Sequence, residues 1–168
     1  MSFWIGLLSG LAGVVVGGIL NHFTTKANFL RQTQWERDKI LQQKLEEIAQ
    51  VTEEIAFTYG KIMIGAINAI SFRAELKIES EVVPFARLRM LVSFYAPELA
   101  NHVHLITDAQ NKFSEPLLKA LDGRVREQPE RQQINGDLVR IEGQMSRACN
   151  GLSEAAADLG RRLFKISC

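Results

Sequence analysis

The groups in this 168-residue sequence that could ligate a metal, act as a nucleophile or move a proton are three histidines, two cysteines and nineteen carboxylates. His102 and His104 are two positions apart. On a helix they point about 200° from each other, whereas metal-ligating pairs on one helix come at i, i+3 or i, i+4. His22 is distant from both, no Cys-x-x-Cys occurs, and no histidine lies within a turn of Cys149 or Cys168. No metal or cofactor is therefore expected. The doublets Glu46-Glu47 and Glu53-Glu54 repeat at seven. A di-iron bundle would also need a histidine three residues after an inward glutamate, and none is present, so these acids read as a solvated face. The sequence has no G-x-x-x-x-G-K-[ST] phosphate loop, no arginine followed four to six residues later by histidine, and no evident Ser/His/Asp set. Arg124-Val125-Arg126 and Arg161-Arg162-Lys165 are small basic clusters with acids within a few turns, read as solvated surface. The expectation is a protein that is not an enzyme.

What must be positioned is instead a membrane segment. Lys plus Arg (20) nearly cancel Asp plus Glu (19), which excludes a bulk field for nucleic acid. Two cysteines cannot form a disulfide framework. The charges are unevenly distributed, however, and none precedes Lys26. Phe3 to Leu20 reads FWIGLLSGLAGVVVGGIL, with Ser9 as its only polar side chain. As a helix it spans about 27 Å, close to the roughly 30 Å hydrocarbon core of a bilayer. No basic residue precedes it and no A-x-A site follows it, so a retained anchor fits better than a cleaved leader, and a buried core helix is the third reading for a segment this short. Lys26, Arg31, Arg37, Lys39 and Lys44 all follow the span. The positive-inside rule then puts the N-terminus outside and the C-terminal domain in the cytoplasm, with Trp4 in the outer aromatic belt and both cysteines as reduced thiols.

Gly6, Gly10, Gly13 and Gly17 are spaced four, three, four, which places all four on one seam of the helix. Glycine costs roughly 1 kcal/mol against alanine at each helix-interior position. A solitary anchor has no use for four of them. Lipid supplies no hydrophobic drive for helix association, so small residues that let backbones approach are what pair membrane helices. Thr24 and Ala27 continue the register. The seam predicts a homo-oligomer within the bilayer. Asn21, Thr25 and Asn28, just beyond the span, would form the polar mouth of any pore along its axis.

Beyond the span no glycine or proline interrupts Asn21 to Tyr59. A second seam runs Leu41, Leu45, Ile48, Thr52, Ile55, Tyr59, Ile62, Ala66, Ala69. These features predict one helix from the membrane to about Glu79, with Gly60 and Gly65 as weak points. Ile55 to Phe72 carries one charge, Lys61, and has the length of a second span. A central lysine costs roughly 2.5–3.5 kcal/mol to insert, and the seam passes straight through, so this stretch is expected to be the most buried part of a soluble bundle. Pro84 should open a short helix from Phe85 to Tyr95. Pro97 should open another with the seam Leu99, Val103, Ile106, Ala109, Phe113, Leu117, Leu121, kinked at Pro116. Pro129 should start a last helix along Ile134, Leu138, Ile141, Met145, Ala148, Leu152, Ala155, Leu159, Leu163, Ile166. The fold class is all-α: an N-terminal transmembrane helix continuing into the long helix of a cytoplasmic antiparallel helical bundle. The expected organisation is an anchor (1–23), a juxtamembrane helix (24–39) and the bundle (40–168).

A glycine-rich anchor, then Asn-His-Phe-Thr-Thr-Lys (21–26), then Trp-Glu-Arg-Asp-Lys (35–39), resembles small bacterial single-span inner-membrane proteins of uncharacterised function, as does Phe-Tyr-Ala-Pro-Glu-Leu (94–99). In organisation alone it is also similar to ring-forming CRISPR-associated accessory membrane proteins. No catalytic or binding motif comes with either resemblance. The reading is a non-enzymatic, self-associating single-pass inner-membrane protein whose bundle recruits or senses a cytoplasmic protein partner, its other contacts being the lipid bilayer and further copies of itself. The alternative is a membrane-perturbing effector that forms a regulated oligomeric pore, in keeping with an antiviral role.

Overall fold

Good helix formers and the lack of any proline before Pro84 dictate the first element. In the computed structural model, which describes residues 2–72, 83–121 and 128–165, helix α1 runs Ser2–Phe72 without a break. It is followed by α2 (Phe85–Tyr95), a 3-10 turn at Pro97–Leu99, α3 (Ala100–Leu121) and α4 (Gln128–Lys165). The protein is all-α, four helices packed together, with α1 against α4. The expected continuation of α1 from Arg73 to Glu79 lies outside the described residues, as do Arg124 to Arg126 and Ile166 to Cys168.

The chain divides into two compact units, residues 1–41 and 42–168. In the first, the side chains of residues 24–41 are exposed or intermediate throughout, including Phe29, Leu30, Trp35 and Ile40, all at least half exposed. Thr33 Oγ1 donates to the Phe29 carbonyl, and the Lys39 ammonium sits 5.3 Å from the Trp35 ring centre.

The second unit is the bundle. Its helices alternate in direction, as the cross-contacts show. Lys44 of α1 lies by Tyr95 of α2, while Tyr59, a further four turns along, lies by Phe85 at the other end of α2. Between α3 and α4 one groove joins residues 112–119 to 130–144, and another joins 98–102 to 155–162, so these helices are antiparallel too.

Proline sets the corner between α2 and α3. Pro84 stands just before α2, and its carbonyl accepts the Leu88 N–H at 3.0 Å. The Ala96 N–H still reaches the Val92 carbonyl at 3.0 Å, but Pro97 has no N–H with which to continue the ladder. The chain turns through Pro97–Leu99, with the Leu99 N–H on the Ala96 carbonyl at 2.9 Å. Ala96 is fully buried in this corner. Helix α3 runs on through Pro116, which is buried within it.

The core follows the sequence seams, with adjacent positions exchanged at a few turns. On α4 the buried positions are Ile134, Leu138, Ile141, Met145, Cys149, Leu152, Ala156 and Leu159. Cys149 and Ala156 thus take the places expected for Ala148 and Ala155. On α3, Pro116 is buried where Leu117 was expected, and Ala120 is buried as well; the side chain of Leu121 lies outside what the structure describes. The inward face itself does not drift, because Leu152 and Leu159 are buried where expected; Cys149 and Ala156 are exchanges between adjacent positions of one inward stripe, which on an α-helix is wider than a single line of residues. On α1, Leu45, Ile48, Val51, Ile55, Tyr59, Ala66 and Ile70 are buried. Thr52 is also buried, its hydroxyl donating to the Ile48 carbonyl at 2.7 Å, so the one polar residue of that seam is satisfied within its own helix.

Glycines 136 and 143 lie in α4 with nothing within 4 Å of where a Cβ would sit. Gly136→Ala and Gly143→Ala should each raise stability by about 1 kcal/mol, whereas Phe113→Ala, which empties a core site, should cost about 3–5 kcal/mol. Chemical denaturation of the full-length protein in detergent, followed by circular dichroism, measures both effects.

Candidate functional site

The titratable groups that the bundle brings together are used for packing. Glu47 accepts from Lys44 Nζ at 2.7 Å on one oxygen, and from Arg87 Nη2 at 2.7 Å and Nε at 3.1 Å on the other. The hydrogen bond from Lys44, then those from Arg87, hold its carboxyl below the usual range, and the same carboxylate raises Lys44. Lys44 also lies 5.5 Å from the Tyr95 ring centre. This cluster ties α1 to α2. Spacing alone places Glu47 on a solvated face together with Glu46, Glu53 and Glu54, and those three are exposed. Glu47 departs because its partner Arg87 lies forty residues on, and no local spacing reports a pair at that distance.

Tyr59 occupies the centre of the bundle. Its ring meets Phe85 edge-on at 6.0 Å and Phe113 at 5.1 Å, with interplanar angles near perpendicular at 76° and 75°. Burial raises its hydroxyl to about 12, and the neighbouring Cys149 adds to the shift. Burial alone raises the Cys149 thiol to about 12. At neutral pH both groups stay protonated, so Cys149 is a small core side chain with almost no thiolate to attack an electrophile. Each folded-state value lies above that of the unfolded chain. Their contribution to stability is therefore complete below about pH 9 and is lost as pH rises to about 12. The melting temperature should fall through that window. Replacing Tyr59 by Phe, together with Cys149 by Ala, should flatten the fall, which thermal melts from pH 8 to 12 would measure.

His102 is half-buried and lines a groove of about 420 Å³ between α3 and the end of α4, beside Asp158, Arg161 and Arg162. Arg161 is bonded to Asp158 within α4. His104 is exposed and lines a different groove, of about 430 Å³, between α2 and α3. Two positions along one helix thus open onto different faces, and the histidines do not converge. Among the described residues no three His, Cys, Asp or Glu side chains cluster as metal ligands would.

The glycines of the N-terminal seam, Gly6, Gly10, Gly13 and Gly17, lie on the helical backbone of α1, while the side-chain surroundings of Phe3–Leu20 lie outside what the structure describes. Asn21, Thr25 and Asn28 are helical and exposed, at i, i+4 and i+7 along one face. The described residues contain one helix long and apolar enough to cross a membrane by length and composition, Thr24–Phe72. Its most apolar eighteen-residue window has a mean hydropathy of 1.4 and is 28% buried. The stretch 55–72 was expected to be the most buried part of the bundle. Its inner face is buried through Ile55, Thr58, Tyr59, Ala66 and Ile70, but Phe57, Ile64 and Phe72 on the other face are more than half exposed. Lys61 lies on that outer face with its ammonium 4.7 Å from the Phe57 ring centre. The helix is long enough to present two faces, and the bundle covers one. No protein-family model matches the chain, and neither does any curated protein or solved structure.

Proposed function

We propose that this chain is a non-enzymatic, self-associating single-pass inner-membrane protein whose helical bundle lies in the cytoplasm and recruits or senses a protein partner there. The observation that carries this reading is the uncharged stretch Phe3 to Leu20, helical throughout and ridged by Gly6, Gly10, Gly13 and Gly17. Four glycines on one seam weaken a lone helix by roughly 1 kcal/mol apiece and gain a role only when a second backbone packs against them. The cations that begin at Lys26 support an outside N-terminus and a cytoplasmic bundle. The use of Glu47, Tyr59 and Cys149 to hold helices together supports binding rather than catalysis. Asn21, Thr25 and Asn28, exposed along one helix face, favour a second reading in which the oligomer opens a regulated pore.

Substituting Gly10 and Gly13 by Leu should convert the oligomer to monomer in light scattering of the detergent-solubilised protein, and an unchanged mass would sink the seam argument. Expression of the wild type with a membrane-impermeant dye separates the two readings, because only a pore admits the dye. Orientation can be read with single cysteines in a Cys168→Ser background, since Cys149 is buried. Ser2→Cys should react with an impermeant maleimide on intact cells, and Ser114→Cys only after permeabilisation.

A further inference from the structure

Helices α2 and α3 meet along a groove of about 430 Å³ lined by Arg89, Val92, Ser93, Ala100, Val103, His104 and Thr107. Spacing brings these residues together. Arg89 and Ser93 are one turn apart on α2, while Ala100, Val103, His104 and Thr107 follow one face of α3. Buried Val92 and Val103 form an apolar floor, and no carboxylate is among the lining residues.

Arg89 gives the groove its character. Its Nη2 donates to Thr107 Oγ1 at 3.3 Å, and that hydroxyl in turn donates to the Val103 carbonyl at 3.0 Å. The guanidinium is therefore held in place by a neutral acceptor, and no carboxylate among the described residues cancels its charge. Arg87, two residues earlier, shows the contrast, because Glu47 neutralises it. Among the described residues no carboxylate comes within ion-pair distance of Arg89, and most of its five N–H donors remain open. Ser93 and His104 line the same groove from two different helices.

We propose that this groove binds a phosphoryl group carried on a small apolar moiety. Arginine presents a planar fork suited to phosphate oxygens, and a hydroxyl and an imidazole from other directions fit a tetrahedral oxyanion better than a planar one. The valine floor takes the attached carbon group, and the volume is at the small end of ligand sites. The phosphoryl group can come from a soluble phosphate ester or from a phospholipid headgroup.

The test is calorimetric titration of full-length protein, purified in a sugar detergent that contains no phosphate, with phenyl phosphate. Saturable binding with a Kd near or below about 1 mM is expected. Arg89→Gln should weaken it about tenfold, Ser93→Ala should weaken it less, and Arg147→Gln, an exposed arginine outside the groove, should leave it unchanged. Circular dichroism verifies that each variant is folded. Benzoate should bind more weakly than phenyl phosphate. The titration is then repeated in phosphatidylglycerol nanodiscs. Loss of phenyl phosphate binding there identifies the headgroup as occupant, and unchanged binding identifies a soluble ester. No saturable binding at about 10 mM, wild-type binding by Arg89→Gln, or benzoate binding as tight as phenyl phosphate would each overturn the proposal.

Discussion

Tyr59 is the residue on which the bundle depends. One ring touches Phe85 of α2 and Phe113 of α3 edge-on, and the ionisation of Cys149 on α4 would raise its hydroxyl further. A side chain on α1 therefore joins α2 and α3 through its ring. Edge-to-face aromatic pairs contribute roughly 0.5–1.5 kcal/mol each beyond the area they bury, and they also fix angle, because a perpendicular ring fits in few orientations. The aliphatic layers on either side, Ile48, Val51 and Ile55 on α1 with Leu138, Met145 and Leu152 on α4, are less particular about angle and fill the space that the aromatic contacts define.

The same demand for packing absorbs groups that could otherwise do chemistry. A thiol and a phenol in a dry core keep their protons, and a carboxylate between a lysine and an arginine holds two helices together. The arginines of α2 divide the work. Arg87 faces α1 and is neutralised there, while Arg89 faces α3, where only hydroxyl, imidazole and apolar groups line the groove. The difference of two residues, about 200° around a helix, separates a structural cation from an available one.

The N-terminal stretch differs from the bundle in its glycine pattern. In the bundle, glycines such as Gly60 and Gly136 sit singly, with open space where a side chain would be, and carry only their helix-propensity cost. In Phe3 to Leu20 four of them align. On the reading proposed above, a lipid-facing helix gains nothing from aligned glycines unless another backbone comes close, so the same residue would be incidental in one part of the chain and organising in the other.

Much of the architecture was legible in the sequence because it depends on local periodicity and on proline. The all-α class, the helix from Phe85 to Tyr95, the turn at Pro97 and most of the inward positions follow from spacing alone. The uncharged, glycine-ridged N-terminal stretch is likewise a property of the sequence, because it needs only the order of residues. Tertiary structure decided what periodicity cannot encode. It chose Cys149 over Ala148 and Ala156 over Ala155 as the buried member of each adjacent pair, because the neighbouring helices and not the spacing decide which side of the inward stripe is covered. It left Phe57, Ile64 and Phe72 exposed, because three neighbouring helices cover one side of α1 and not the other. It drew Glu47 out of a run of solvated acids to meet Arg87, and it gathered Arg89, Ser93 and His104 around one groove. Each of these depends on residues from different helices, and chain distance carries no information about which of them will meet.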